Sequence, residues 1–586
     1  MSKYDIITMK VGVIMIIKTN ISWNENYTND GILYFAQRIV EMLDYRTIDI
    51  YRAPLFNTPA LIEEYITVHN GAAKEYNLEE IFHETVLTFK NDIILIDKYG
   101  QDKIDDIINK LNSTNDRISI MKYLYRTISA KYLNSAKDYL MKIVKCAKEK
   151  TKIERAIRCF VPELLRSGYK RDDIYQRAKK LLFSNEPIGA FQEFIDFYDK
   201  CNKEYTVYFG LYNSIVSFKD ILSKRLNINA VKDNGHLKTW DNYYEFYEDK
   251  IKALDAVAAA DKVKKQIELF TNYYQFFGNY SGNLIQKNAI VISNDGKEHK
   301  VSILCDKYNS IEENDKPQIG EFSEKIVTCL VNGSRCSIDT LNRVTKLHNR
   351  AISNNGLQNG FLNLWSILEV LCVTNENSKI SQVISKVSPI LQRDYFVSIF
   401  QDICDNLKSI LTSEDYDFII SKIEEGKADY EKIAVLLLIP SYDNIFDTFI
   451  EKFINYPVLR SRMTNIHDDF SKSMRTYSNS LEHYNQRIIW HLYRIYRVRN
   501  SIVHNGKKPN YLKDIGEHLH SYVDSVMTTV IFKLSIMGLC EVSNVFISNE
   551  LELDVIKKSI SKDVPFDYET IELLFNPDEG TMNCFE

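Results

Sequence analysis

Residues 487–506 read RIIWHLYRIYRVRNSIVHNG. At about 100° per residue, Ile488, Leu492, Ile495, Arg499, Ile502 and Val503 fall in one helical stripe, so an arginine stands on an otherwise apolar face. A guanidinium buried there without a partner is unfavourable by several kcal/mol, so Arg499 must meet a partner, reach the rim or line a site. Asn500 follows it directly, His504 comes five residues later, and Asn505-Gly506 makes a natural helix stop. These types suit phosphate chemistry. The guanidinium is permanently charged and donates two parallel hydrogen bonds, and an imidazole exchanges a proton near neutral pH. Asn500 can orient either group or hold the phosphate.

Spacing alone does not single out this site, because Arg343 with His348 and Arg462 with His467 repeat Arg-x4-His. Context does: Arg343 is followed by Val344 and Arg462 by Met463, whereas Arg499 is followed by Asn500 and the site continues as HNGKK. His348 and His467 are therefore expected to be dispensable for chemistry. Five helical positions separate Arg499 from His504 by about 140° and about 7.5 Å of rise, so a straight helix does not bring both onto one phosphate from one direction. Either the helix ends before His504 or a twofold-related partner supplies the second set.

Arg499-Asn500-Ser501-Ile502-Val503-His504 resembles the signature of HEPN domains (higher eukaryotes and prokaryotes nucleotide-binding), and is most like the Apea-like branch of bacterial anti-phage proteins. Gly360 to Leu371 (GFLNLWSILEVL) and Glu517 to Leu534 (EHLHSYVDSVMTTVIFKL) resemble the flanking helices of that branch. The resemblance covers about residues 340–540. It implies an all-helical bundle that dimerises, and a metal-independent ribonuclease with Arg499, Asn500 and His504 as catalytic residues and no metal or cofactor. The chemistry is consistent: RNA carries its own nucleophile in the 2′-hydroxyl, so cleavage needs a base, an acid for the leaving 5′-oxygen and positive charge on the phosphorane. Arg494, Arg497, Lys507, Lys508 and Tyr496 are the expected RNA contacts, with Arg487 and Tyr493 nearby. His518 and His520 are expected to face solvent. The setting implied is phage defence of the abortive-infection type, with an off state held by the N-terminal part and a phage-derived trigger or inhibitory partner.

Two other readings compete. The fold can serve as a non-catalytic helical scaffold. Alternatively, residues 151–183, with nine lysines and arginines against four acids, can bind nucleic acid: Leu164, Gly168 and Ile174 have helix-turn-helix spacing, with Arg171 and Arg177 as contacts. Other chemistries lack their handles. There is no phosphate-binding glycine loop, no Gly-x-Gly-x-x-Gly after a strand, and no His-Glu-x-x-His. Cys329, Cys336 and His348 lack a finger spacing. Asp92 and Asp97-Lys98 flank an apolar run, where charged residues beside a buried strand are a commoner arrangement than a magnesium corner.

The elements that position the site belong to a chain of 586 residues, 45% hydrophobic and 26% charged, with a net charge of -5, which excludes a whole-chain basic field for nucleic acid or membrane. The ten cysteines are scattered without a Cys-x-x-Cys pair, as in a reduced cytoplasmic protein. Met9 to Ile17 is too short to span a bilayer and is expected as a buried strand. The expected fold is mostly α with a smaller α/β part. Residues 1–131 are expected as mixed α/β, with strands at Met9–Ile17, Thr47–Tyr51 and Thr88–Ile96 and a helix at Gly31–Leu43. Residues 132–311 are expected as a helical region with a sensor or regulatory role and a β-hairpin around Asn294-Asp295-Gly296. A linker follows at Glu312–Gly320, then a HEPN-like helical domain at 337–540 and an acidic tail at 541–586. That tail, with 11 acids against three lysines, is expected to be solvated.

Overall fold

The computed structural model describes residues 30–70, 78–146, 149–184, 186–212, 228–231, 244–278, 284–303, 308, 335–353, 356–374, 378–535 and 541–576. The chain is mostly α with a smaller α/β part. It opens with helices α1 (Asp30–Leu43), α2 (Thr58–Asn70), α3 (Leu78–Lys90), α4 (Ile93–Tyr99), α5 (Gln101–Ser113), α6 (Arg117–Ile128), α7 (Tyr132–Ile143), α8 (Lys150–Ser167), α9 (Arg171–Leu181) and α10 (Pro187–Phe197). Gly168, at φ 103°, ends α8 where the sequence places its stop.

The described residues up to 131 contain no strand, which corrects the α/β expectation for this part. Asp49–Tyr51 is a 3-10 turn, while Thr88, Phe89 and Lys90 close α3. Asp92 explains the rest. Its carboxylate accepts from the N–H groups of Ile94 and Leu95 at 3.0 and 3.2 Å, capping α4 and turning the apolar run into helix. The same carboxylate accepts from the Thr58 and Tyr132 hydroxyls, both at 2.6 Å, and is buried, so it is a structural cap. Asp97 pairs with Lys142 on the surface. Met9–Ile17 lies outside the described residues. Apolar side chains from Ile32 to Tyr198 form one continuous core, which the expected boundary at 131/132 would cut.

The strands lie further along: β1 (Lys203–Tyr212), β2 (Asn229–Ala230), β3 (Tyr244–Ala253), then α11 (Ala256–Gly278), β4 (Asn288–Ser293) and β5 (Glu298–Ser302). They form an antiparallel sheet in the order β2-β3-β1-β4-β5, with Lys203 opposite Ala253, Tyr205 opposite Ser293 and Asn288 opposite Ser302. Tyr205, Val207, Phe209 and Leu211 alternate inward and pack with Ala259, Val263 and Ile267 of α11. Gly296, at φ 79°, closes the β4–β5 hairpin expected from Asp295-Gly296.

The C-terminal part comprises α12 (Arg335–Ser353), α13 (Leu357–Cys372), α14 (Lys379–Ile410), α15 (Ser413–Ser421), α16 (Asp429–Leu438), α17 (Asp443–Ile450), α18 (Pro457–Phe470), α19 (Met474–Asn505), α20 (Leu512–Ser535), α21 (Val542–Ser559) and α22 (Tyr568–Phe575). The region read as one domain, 337–540, contains two cores. Helices α14 and α19 have 32 residues each, or about 48 Å, and run through both. One core joins Ile380–Leu391 of α14 to α12, α13, α20 and Tyr484–Ile502 of α19. The other joins Phe396–Leu407 of α14 to α15–α18 and Met474–Leu481 of α19. The two long helices are therefore antiparallel.

The acidic tail is not a solvated extension over its described length. Val545 and Phe546 enter the first of these cores, and Leu553, Ile556, Ile571, Leu574 and Phe575 enter the second. The acids of the described part lie on its outer faces, apart from Glu552, which is buried against Arg393 and Lys533. The linker at Glu312–Gly320 lies outside the described residues, but Tyr308 just before it is wedged into the bundle. Its hydroxyl donates to the Leu357 carbonyl at 2.7 Å, and a Cβ at Gly516 would fall 2.2 Å from its ring, so α20 needs glycine there. Among the described residues no single helix is long and apolar enough to cross a membrane.

Candidate active site

Helix α19 starts at Ser473, whose hydroxyl accepts from the Arg475 N–H, and runs without a break to Asn505. Gly506 closes it at φ 62°, donating its N–H to the Ile502 and Ser501 carbonyls. Of the two solutions to the geometric objection, a helix ending before His504 is therefore not the one adopted. Within one chain, Arg499 and His504 remain about 140° apart around a continuous helix.

Ile488, Leu492, Ile495 and Ile502 are buried, as the stripe requires, and so is Val498 beside them. Val503, expected in the same stripe, is 49% exposed, because the last turn of α19 overhangs the bundle. Arg499 lies between these regimes, its side chain 23% exposed. Its Nη1 donates to Asn500 Oδ1 at 3.0 Å, and its Nη2 lies 3.7 Å from Glu369 Oε1 on α13, beyond direct hydrogen-bond distance. That carboxylate oxygen is buried and makes no hydrogen bond among the described residues. Glu369 escaped the sequence reading, although an acid inside the apolar run GFLNLWSILEVL is the signal that marks it. His504, Lys507 and Lys508 are exposed at the helix end. Arg499, Asn500, His504, Lys507 and Lys508 thus share one end of α19, with Arg499 and Asn500 in contact.

The other expected RNA contacts are committed elsewhere. Arg494 is 1% exposed and bonds Glu64 at 2.7 and 2.9 Å and Glu84 at 2.6 Å. Arg497 donates to Glu64 at 2.8 Å, and Arg487 to Asp49 at 2.9 Å. Tyr496 packs on Trp365 with ring centroids 5.6 Å apart, and Tyr493 packs against the same core. The acids belong to α2, α3 and the 3-10 turn, so the N-terminal helices cover this face of α19. Burial pushes the Glu64 carboxyl up, but Arg494 and Arg497 overcome it and hold it at about 2. At Glu84 burial wins and its pKa rises.

Of the other two Arg-x4-His pairs, Arg462 and His467 are held inside the fold. Arg462 is buried between Glu41 and Asp402, at 2.7 and 2.9 Å, over the Tyr51 ring, and His467 stacks on Phe446. In the basic helical hairpin, Arg171 donates to the Leu43 carbonyl and to Asp514, both at 2.9 Å, while Arg177 pairs with Asp173 and lies over Phe197. Leu164 and Ile174 are core residues. The arginines that a DNA-reading helix would present are therefore turned inward.

His518 and His520, expected to face solvent, are both buried. They belong to two clusters whose donor atoms converge closely enough to hold a metal: Asp49, His491 and His518, all buried, and His348, His520 and Asp524, partly open. Comparison with protein-family models, curated proteins and solved structures finds no match.

Proposed function

We propose that the protein is a metal-independent HEPN-type endoribonuclease acting in the cytoplasm in anti-phage defence, active as a homodimer and restrained by its N-terminal part. One observation carries the reading. Arg487, Arg494 and Arg497 of α19 are bonded to acids at 2.9 Å or less, whereas Arg499 donates to the neutral Asn500 amide and lies 3.7 Å from Glu369. A guanidinium held in place by an amide, and paired with Glu369 without a direct hydrogen bond, can be drawn to the charge on a phosphorane. His504 supplies proton transfer to or from the 2′-hydroxyl or the 5′-oxygen, Arg499 stabilises the charge on phosphorus, and Asn500 fixes the guanidinium plane. Lys507 and Lys508 hold neighbouring phosphates. Because α19 is continuous through both catalytic positions, the second set comes from a twofold-related copy.

The N-terminal acids supply the restraint in this reading. Glu64, Glu84 and Asp49 occupy cations that RNA would otherwise draw on. The test compares wild type with Arg499→Ala and His504→Ala for host toxicity and for RNA ends, with magnesium chelated. Loss of cleavage in both variants supports the reading, and so does unchanged cleavage in His467→Ala. Equal cleavage by wild type and both variants overturns it, and absence of cleavage by wild type under every trigger tried favours the scaffold.

A further inference from the structure

His348 lies on α12, and His520 and Asp524 lie one turn apart on one face of α20. None of the three has a role in the reading above. His348 Nε2 is 3.3 Å from His520 Nε2 and 3.1 Å from Asp524 Oδ1, and His520 Nε2 is 3.7 Å from Asp524 Oδ2. The rings are tilted by 47° with centroids 5.3 Å apart, so they meet at their Nε2 edges rather than stacking. Two ring nitrogens and a carboxylate converge on one point, where a single cation satisfies all three donors. Zinc sits about 2.0–2.1 Å from such donors, and a tetrahedral arrangement then spaces them about 3.3–3.4 Å apart. Side-chain exposure rises from 2% at His520 to 14% at His348 and 26% at Asp524, which leaves a solvent side for a water as fourth ligand and a path for the ion to enter.

We propose that His348, His520 and Asp524 bind one zinc ion, which ties α12, the first helix of the C-terminal part, to α20. Two imidazoles with one carboxylate suit zinc better than magnesium or calcium, which take oxygen donors. The other cluster is a poorer host. Arg487 already holds the Asp49 carboxylate at 2.9 Å, places a fixed positive charge beside the point a cation would occupy, and leaves no solvent side.

The experiment uses the full chain, stripped with a chelator and titrated with zinc chloride against a chromophoric competitor, with elemental analysis and thermal melts. One zinc per chain is expected in wild type, together with a rise in melting temperature. Affinity is expected to fall in Asp524→Asn and His348→Gln by more than the roughly 10- to 100-fold that follows from losing a hydrogen bond to a ligand. Both substituted side chains are partly exposed, and melts without zinc verify that the variants fold. Unchanged binding in the surface variant His483→Ala supports the assignment. Equal zinc binding in wild type and Asp524→Asn overturns it, as does loss of zinc in His491→Gln alone. Stoichiometric iron(II) binding with no zinc binding overturns the choice of metal. Cleavage of RNA is not the readout, so the zinc site and the ribonuclease reading fail separately.

Discussion

Arg494 and Glu64 lie 430 residues apart in the chain and are joined by a paired contact, Nε to Oε1 at 2.9 Å and Nη2 to Oε2 at 2.7 Å, in a buried seam between α19 and α2. The seam continues through Glu84, Arg497, Asp49 and Arg487, so the helix that ends in Arg499 and His504 is gripped from the N-terminal side by fixed charges.

Removing one member of such a buried pair strands the other, typically at about 3–5 kcal/mol. Glu64→Gln is expected to lower stability by that order in denaturant titration. Glu64→Gln with Arg497→Met is expected to recover part of the loss, because Arg494 keeps Glu84 and Arg497 is no longer stranded. A loss in Glu64→Gln below about 0.5 kcal/mol, the range of ordinary surface substitutions, would show the seam to be decorative.

If the same seam holds the nuclease off, Glu64→Gln with Glu84→Gln raises toxicity and RNA cleavage over wild type, and Arg499→Ala in that background abolishes both. Cleavage no higher than in wild type, from a folded double variant, counts against restraint by these acids.

Lys507 and Lys508 are the expected RNA contacts that remain exposed. Replacing both with alanine is expected to weaken RNA binding and to flatten its salt dependence by roughly two charges' worth of slope, while Arg494→Lys leaves that slope unchanged. An unaltered slope in the double lysine variant removes them from the interface.

His491 is buried, and burial, with His518 and Arg487 beside it, holds its pKa well below the ordinary histidine value. The folded state therefore binds fewer protons at this group than the unfolded chain. Its contribution to stability is complete above about pH 6.5 and shrinks as pH falls, by up to about 1.4 kcal/mol per unit. Wild type is expected to lose stability between pH 7 and pH 5 more steeply than His491→Gln. Parallel pH profiles would show that His491 is charged in the fold.

Phe575 is packed against Phe396 and Phe400 at the end of α22. Phe575→Ala is expected to destabilise the protein by about 3–5 kcal/mol, as for a core aromatic, measured by thermal and denaturant melts. A solvated tail would show no change.

The local rules were legible where they are complete within a few residues. Gly168 and Gly506 stop their helices, Asp295-Gly296 turns its hairpin, and the stripe from Ile488 to Ile502 faces a core. The same reading put strands at Thr47–Tyr51 and Thr88–Ile96, because a short apolar run has no period of its own. Asp92, bonded to Thr58 and Tyr132 from other helices, decides for helix. It also left the acidic tail in solvent, since net charge says nothing of the alternate face that Leu553, Ile556 and Leu574 present to the core.

By itself, the sequence determined that Arg499, Asn500 and His504 share one end of a helix, because helical period and capping are set by neighbours. Which cations are available to a substrate was decided by tertiary structure alone. Arg494 and Arg497 are taken up by acids from α2 and α3, whereas Lys507 and Lys508, just past the end of α19, are exposed. The convergence of His348 with His520 and Asp524 is tertiary in the same way. A charge's role depends on the partner that reaches it, and a partner hundreds of residues away leaves no mark on local spacing.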